Sequence, residues 1–234
     1  GLKDGLIIAR NYIQKEQIAP LIKETLLEEY QFVEDDKNSL RERLLEESSE
    51  IQIPCNHPTG TMPVDHYFSV KGAGMVVLGS IVDGTIKKRD ELMVLPGNKI
   101  AQVRSIQKHD EDFDCAGLGD RTGIALKGIE EDDLDRGTIL TSDKSVKSAS
   151  SLVAKAEIVK YWPAPLKVGM VLHIGHWMQF VQARIESLKD KGDRYAPELN
   201  LKLDKMLIYK PGAKGVLMYP EGSGLRVVGK IELP

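Results

Sequence analysis

Five histidines and two cysteines could suggest a metal site. The close pairs are Cys55-x-His57 and His173-x-x-His176. Neither has the four-ligand spacing of a structural zinc site, so no metal is expected. The glycine-rich stretch 62–84, MPVDHYFSVKGAGMVVLGSIVDG, contains no acid/base or nucleophile set. The remaining chemistry is cationic. Lys87-Lys88-Arg89 forms a basic tip suited to phosphates, although a solvated turn reads the same way. Lys189, Lys191 and Arg194 lie together with Lys202 and Lys205 in the last third. That third, residues 145–234, has 14 basic and 8 acidic groups, whereas residues 1–50 have 7 and 12 and residues 51–144 have 11 and 15. The C-terminal third is the part expected to face a polyanion.

The elements that position these groups are mostly extended. Two strand-like runs, 64–71 and 75–82, meet at Gly72-Ala73-Gly74. The second is almost wholly apolar, as in a central strand covered on both sides. Glycines 72, 74, 79 and 84 suit turns, a bulge or close backbone approach. Runs 90–95, 100–108, 121–127 and 138–141 complete six short strands separated by turn signals, which predicts a closed barrel. Further strands at 152–161, 170–174, 179–188, 205–209, 215–219 and 225–233 predict a second barrel. Residues 48–61 and 144–151 read as linkers.

The first fifty residues differ. Residues 5–10 (GLIIAR) and 31–34 (QFVE) read as short strands. Residues 15–30 place Ile18, Leu21, Ile22, Leu26 and Tyr30 on one helical face, with Pro20 near the start. Ser39 with Glu42 fits a capping box for a second helix. Strand–helix–strand–helix is part of an α/β domain, too little to cover a parallel sheet. The fold class is therefore mainly β: a partial α/β segment over 1–50, a barrel over 51–144 and a second barrel over 145–234. No run approaches the roughly 20 apolar residues of a membrane span, and no signal peptide is visible. The two cysteines are too few for a disulfide framework and point to a reducing compartment. The first residues already read as a strand, as expected of the C-terminal part of a longer protein.

VDHYFSVKGAGMVVLGSIVDGTIKKRDELMVLP (64–96) has an aromatic strand, a G-x-G turn, a V-V-x-G strand, a glycine and a basic turn. VRSIQKHDEDFDCAGLGDRTGIALKGIEEDDLDRGTIL (103–140) continues with V-x-S-I-Q, A-G-x-G-D-x-x-G-x-x-L-K-G-I and a closing R-G-x-x-L. Together these resemble domain two of translational GTPases of the elongation factor Tu class, most closely the selenocysteine-specific branch. LHIGHW (172–177) and GLRVVGKIEL (224–233) resemble parts of domain three.

The resemblance implies a site on the first barrel for the aminoacylated 3′ end of tRNA. By motif position it falls on Asp65, His66, Phe68, Gln107, His109 and Arg121. The residue types suit that ligand. An aromatic offers a stacking face, His and Gln bond ribose and base edges, and Arg suits a phosphate or carboxylate. Gln107 replaces the family's glutamate at the ribose contact, and Leu78 stands where many members have threonine. The resemblance also makes Lys87, Lys88, Arg89, Lys189, Lys191 and Arg194 candidate contacts to RNA backbone. In residues 1–50 it aligns Asn11, Tyr12 and Gln14 with the family's guanine-binding N-K-x-D. An amide cannot reproduce the two charge-assisted bonds of a carboxylate to guanine. The phosphate loop G-x-x-x-x-G-K-S/T is absent from this chain.

The expectation is a translation-factor-like protein that binds tRNA or ribosomal RNA through two barrels, without GTP hydrolysis in this chain. GTP and Mg²⁺ enter only if a preceding half-domain is competent. Neither a membrane nor DNA is an expected partner, the location is cytoplasmic, and the oligomeric state is open. Two alternatives stand: an active GTPase completed by an N-terminal half, or a protein-interaction module whose RNA site has decayed.

Overall fold

The computed structural model describes residues 5–50, 55–72, 74–221 and 226–234. Ala73 of the glycine turn, residues 51–54 of the first expected linker and Leu225 of the last expected strand lie outside the described residues. The chain divides into two units, Gly1–Gln52 and Ile53–Pro234.

In the first unit, β1 (Leu6–Ile8) pairs in parallel with β2 (Gln31–Val33) across α1 (Lys15–Ile22), and α2 (Lys37–Glu50) follows. The helix expected over 15–30 is broken. Pro20 lies inside α1 and has no N–H for the Glu16 carbonyl. Glu24 then takes a left-handed φ of +62°, and the chain resumes as a 3₁₀ turn at Leu26–Glu29. The cap of α2 is Asp36 rather than Ser39. Its carboxylate accepts the Ser39 N–H at 2.8 Å and the Ser39 hydroxyl, and these bonds hold its pKa below the ordinary carboxylate value. No described side chain of this unit is buried, as expected when two short strands and two helices have no further layer to pack against.

Barrel one closes in the order β11-β6-β7-β10-β4-β3-β11. These strands are β3 (Gly60–Val70), β4 (Gly74–Ser80), β6 (Glu91–Leu95), β7 (Lys99–Lys108), β10 (Arg121–Lys127) and β11 (Ile139–Thr141). All six are expected from the sequence. Short strands β5 (Asp83–Lys87), β8 (Glu111–Phe113) and β9 (Cys115–Gly117) decorate its rim. Met62, Val64, Val77, Leu92, Ile106, Ile124 and Leu140 fill the interior. The apolar β4 run is not covered on both sides. Met75 and Val77 point inward, whereas Val76 and Leu78 are half-buried on the outer face.

Barrel two closes through β12 (Lys147–Ile158), β15 (Glu198–Tyr209), β14 (Gln179–Lys189), β13 (Val171–His176), β16 (Lys214–Met218) and β17 (Val227–Glu232). The stretch 144–151 is not a linker throughout, since β12 begins at Lys147 and pairs there with Tyr209. Its serines face outward, which hides the strand. Clean alternation on β14 puts Val181, Ala183 and Ile185 in the core.

The barrels share a seam. Leu95 and Ile139 of barrel one pack with Ile208 of barrel two, beside Met93, Val146 and Trp177. Burying Ile139 and Ile208 is worth about 1.5–3 kcal/mol each. Lys210 forms ion pairs with Asp83 and, at 3.1 Å, with Asp143. The bond to Asp83 raises the Lys210 pKa. Burial opposes the charge of Asp143, but bonds from Ser145 and Lys210 outweigh it and lower its pKa. Lys210→Met leaves Asp83 and Asp143 without their shared cation. Because the lysine is partly solvated, we expect a loss of only about 1 kcal/mol in denaturant unfolding. No change relative to wild type would contradict the bridging role.

Cys55 and Cys115, 60 residues apart in sequence, form a disulfide. The expectation of a reducing compartment rests on their number. Folding makes them neighbours, and a count cannot show that.

His176 points into barrel two. Its Nδ1 donates to the Lys214 carbonyl at 3.1 Å, Trp177 packs on its ring, and Nε2 is buried without a partner. Burial lowers its pKa below 6.5. The unfolded chain therefore binds the proton first, and stability falls as pH drops from about 6.5 toward the folded-state pKa. Thermal unfolding between pH 7 and 5 should show this slope, and His176→Phe should flatten it. An equal slope in the variant would contradict the assignment.

Candidate functional site

The outer face of barrel one carries a groove of about 670 Å³. Its floor is made of small side chains. Gly123 pairs with Leu78 and Gln107, and Ala125 pairs with Val76 and Ser105. This explains the apolar outer face of β4. A Cβ on Gly123 would stand 3.2 Å from Leu78 Cδ2, so the floor leaves little room for a larger residue. Phe68, 45% exposed, and Val70 form one wall. Gln107, His109 and Asp110 form the other, and Arg121 stands at one end.

The second wall is positioned tightly. His109 and Asp110 are the two central residues of the β7–β8 hairpin, both left-handed at φ +52° and +66°. A two-residue turn of this hand matches the strand twist and favours Asn-Gly, so His-Asp carries a local strain. Lys108 anchors the hairpin base through Asp120 at 3.0 Å and through the Phe113 ring at 4.1 Å. The Gln107 side-chain nitrogen donates to Asp112 at 2.9 Å, which leaves its amide oxygen available.

Asp65 and His66 are placed differently. The register of β3 against β4 slips between Val64 and His66, which makes Asp65 a bulge. Bulges re-aim side chains. The Asp65 carboxylate faces Arg136 at 3.2 Å and Arg121 at 3.6 Å. It lines a separate cleft of about 160 Å³ with Pro63, Trp177 and Met178. His66 is exposed beside it. The structure thus brings Phe68, Gln107, His109 and Arg121 to the groove and makes Asp65 a counter-ion of Arg121. Motif position does not single out Asp110 or Arg136. Asp110 follows His109 directly, and Arg136 belongs to the closing R-G-x-x-L motif.

Among the candidate RNA contacts, Lys87, Lys88 and Arg89 are exposed on the β5–β6 turn, which Asp90 closes by accepting the Lys87 N–H. Lys189 stands opposite Glu198, which in turn faces Lys155 across the next pairing. Arg194 lies over Tyr195 and donates to its hydroxyl at 2.6 Å. Lys191 is exposed at a left-handed turn position.

In the first unit, Asn11 and Tyr12 follow β1 with left-handed backbones, and Tyr12 is 98% exposed. The Gln14 N–H donates to the Gln17 side chain at the start of α1. Arg10 bonds Asp35 at 2.8 Å, which ties together the loops after β1 and β2. Of the two metal-type pairs, Cys55 is in the disulfide, and His173 and His176 lie on opposite faces of β13.

Residues 74–141 match the family model for elongation factor Tu domain 2. An uncharacterized protein of Methanocaldococcus jannaschii is 32% identical over 230 residues, covering 98% of this chain and 71% of that protein. The selenocysteine-specific elongation factor of the same organism is 40% identical over 136 residues, covering 56% of this chain and 29% of the factor. The translation elongation factor SelB of Methanococcus maripaludis in its apo form superposes with a TM-score of 0.77 at 25% identity, over 98% of this chain and 57% of SelB. The chain thus spans less than a third of the curated elongation factor and little more than half of the solved one. With the matched domain, the similar relatives and the two-barrel architecture in agreement, the chain contains an elongation factor Tu domain 2 and is a translational GTPase-like C-terminal region with two barrels.

Proposed function

We propose that barrel one receives the aminoacylated 3′ end of a tRNA, and that this chain does so without binding GTP in the family manner. The observation that carries the reading is the groove itself. Phe68, Gln107, His109 and Arg121 come from β3, β7, the β7–β8 turn and β10 to surround a floor of Gly123 and Ala125. A terminal base stacks on Phe68, ribose hydroxyls meet Gln107 and His109, and Arg121 meets a phosphate or carboxylate. The exposed Lys87-Lys88-Arg89 tip adds sequence-independent attraction for the RNA backbone. Lys189, Lys191 and Arg194 are weaker candidates, since Lys189 has a facing carboxylate and Arg194 is engaged with Tyr195. A ribosomal surface offers the same phosphates. The location proposed is cytoplasmic. Among the described residues no helix is long and apolar enough to cross a membrane.

Shielding of the aminoacyl ester from hydrolysis tests the groove. Wild-type protein should slow spontaneous deacylation of aminoacyl-tRNA. Phe68→Ala should weaken that protection about 5- to 150-fold in the concentration required, the equivalent of roughly 1–3 kcal/mol for one lost base stack. His109→Ala should weaken it as well, with the fold intact by circular dichroism. Protection that is absent in wild type or unchanged in both variants would contradict the reading. The guanine site is tested separately by titration with a fluorescent GTP analogue. Tyr12 and Gln14 in place of lysine and aspartate predict no saturable binding at micromolar concentrations, and micromolar affinity would contradict it.

A further inference from the structure

The Cys55–Cys115 disulfide lies outside the groove residues and has no part in the function proposed above. It has a particular place in the chain. The first unit ends at Gln52. Cys55 is thus the first described residue of the second unit, and its bond to β9 is that unit's first described attachment to the barrel. The segment that follows is lightly held. The His57 Nδ1 and the Thr59 carbonyl contact each other, and Asn56, His57 and Pro58 are exposed. The next attachment to the barrel comes at Thr59, whose carbonyl accepts the Thr85 N–H at 2.8 Å before β3 begins at Gly60. Gly84, at φ +63°, lets this segment lie flat, because a Cβ there would collide with the Thr59 carbonyl and sit 2.8 Å from His57 Nδ1.

Both cysteines are half-buried, within reach of a small thiol and outside the core cluster. Cys115 pairs across the strands with Lys87, and the cationic Lys87-Lys88-Arg89 turn adjoins it. Positive charge beside a cysteine stabilises the thiolate and so favours exchange.

We propose that Cys55–Cys115 is a reversible redox clasp that pins the segment before β3 to β9. Its co-reactant is a cellular dithiol or a pair of small-molecule thiols. A reductant thiolate attacks one sulfur, forms a mixed disulfide and releases the other cysteine as a thiolate. A second reductant thiol displaces the protein. Two electrons and two protons pass to Cys55 and Cys115, and the reductant departs as its own disulfide. Among the described residues of this unit, the first attachment then moves from Cys55 to Thr59. Four residues become free, about 13–14 Å of additional tether when extended. The clasp thereby controls how much chain is free ahead of β3.

The test uses the whole chain equilibrated in oxidised or reduced glutathione. Alkylation with iodoacetamide, read by intact mass, should give no adduct in the oxidised sample and two in the reduced one. Amide hydrogen exchange should rise at least about tenfold over residues 55–59 on reduction, with β3 and barrel two unchanged. Cys115→Ser should show the fast exchange in either buffer. Should that variant fail to fold, the wild-type pair of samples decides. Two adducts in excess glutathione disulfide would overturn the proposal, since no bond then forms. Unchanged exchange over 55–59 would overturn it, and so would loosening of all of barrel one, which would make the bond a structural staple.

Discussion

β3 bonds to three other strands, β4, β11 and β5, so the geometry of barrel one depends on it. Its one irregularity is the bulge at Asp65. A regular strand there would place Asp65 and His66 on alternate faces in register with β4. The bulge instead turns the carboxylate toward Arg121 and Arg136, which arrive from β10 and from the turn before β11. One half-buried charge thus ties three parts of the barrel wall together. It also decides what Arg121 can do. An arginine shared between a fixed carboxylate and an open groove is pre-oriented, and it meets an incoming anion with less loss of side-chain freedom.

The seam between the barrels repeats this pattern of apolar packing fastened by charge. Leu95, Ile139 and Ile208 exclude water, and Lys210 bridges Asp83 and Asp143 at the edge. Trp177 enters the seam from a tight turn while resting on the ring of the buried His176. These contacts set the orientation of barrel two, and with it the placement of the basic loop after β14 relative to barrel one.

Much of the fold is legible in the sequence because β-strand signals are local. Period-two alternation and glycine punctuation locate all six closing strands of barrel one. The sequence pattern shortens β12 because its outward serines at 148, 150 and 151 resemble a linker. It overextends the helix after β1 because periodicity does not register the break at Glu24. The groove is only half legible. Phe68, Gln107, His109 and Arg121, distant in sequence, line one groove. The position of Asp65 depends on a bulge, and a bulge is a property of pairing between strands rather than of either strand alone. Asp110 and the Cys55–Cys115 bond escape for the same reason. The apolar residues Val76 and Leu78 read as core in the sequence, yet they face the groove.

The most direct measurement of the groove's role is equilibrium binding of this chain to aminoacylated tRNA and to the same tRNA stripped of its amino acid, across a salt series. A preference for the charged form that persists at every salt concentration, with both affinities falling steeply as salt rises, is the predicted result. Equal binding to both forms would contradict an aminoacyl site on barrel one and leave only general affinity for RNA phosphates.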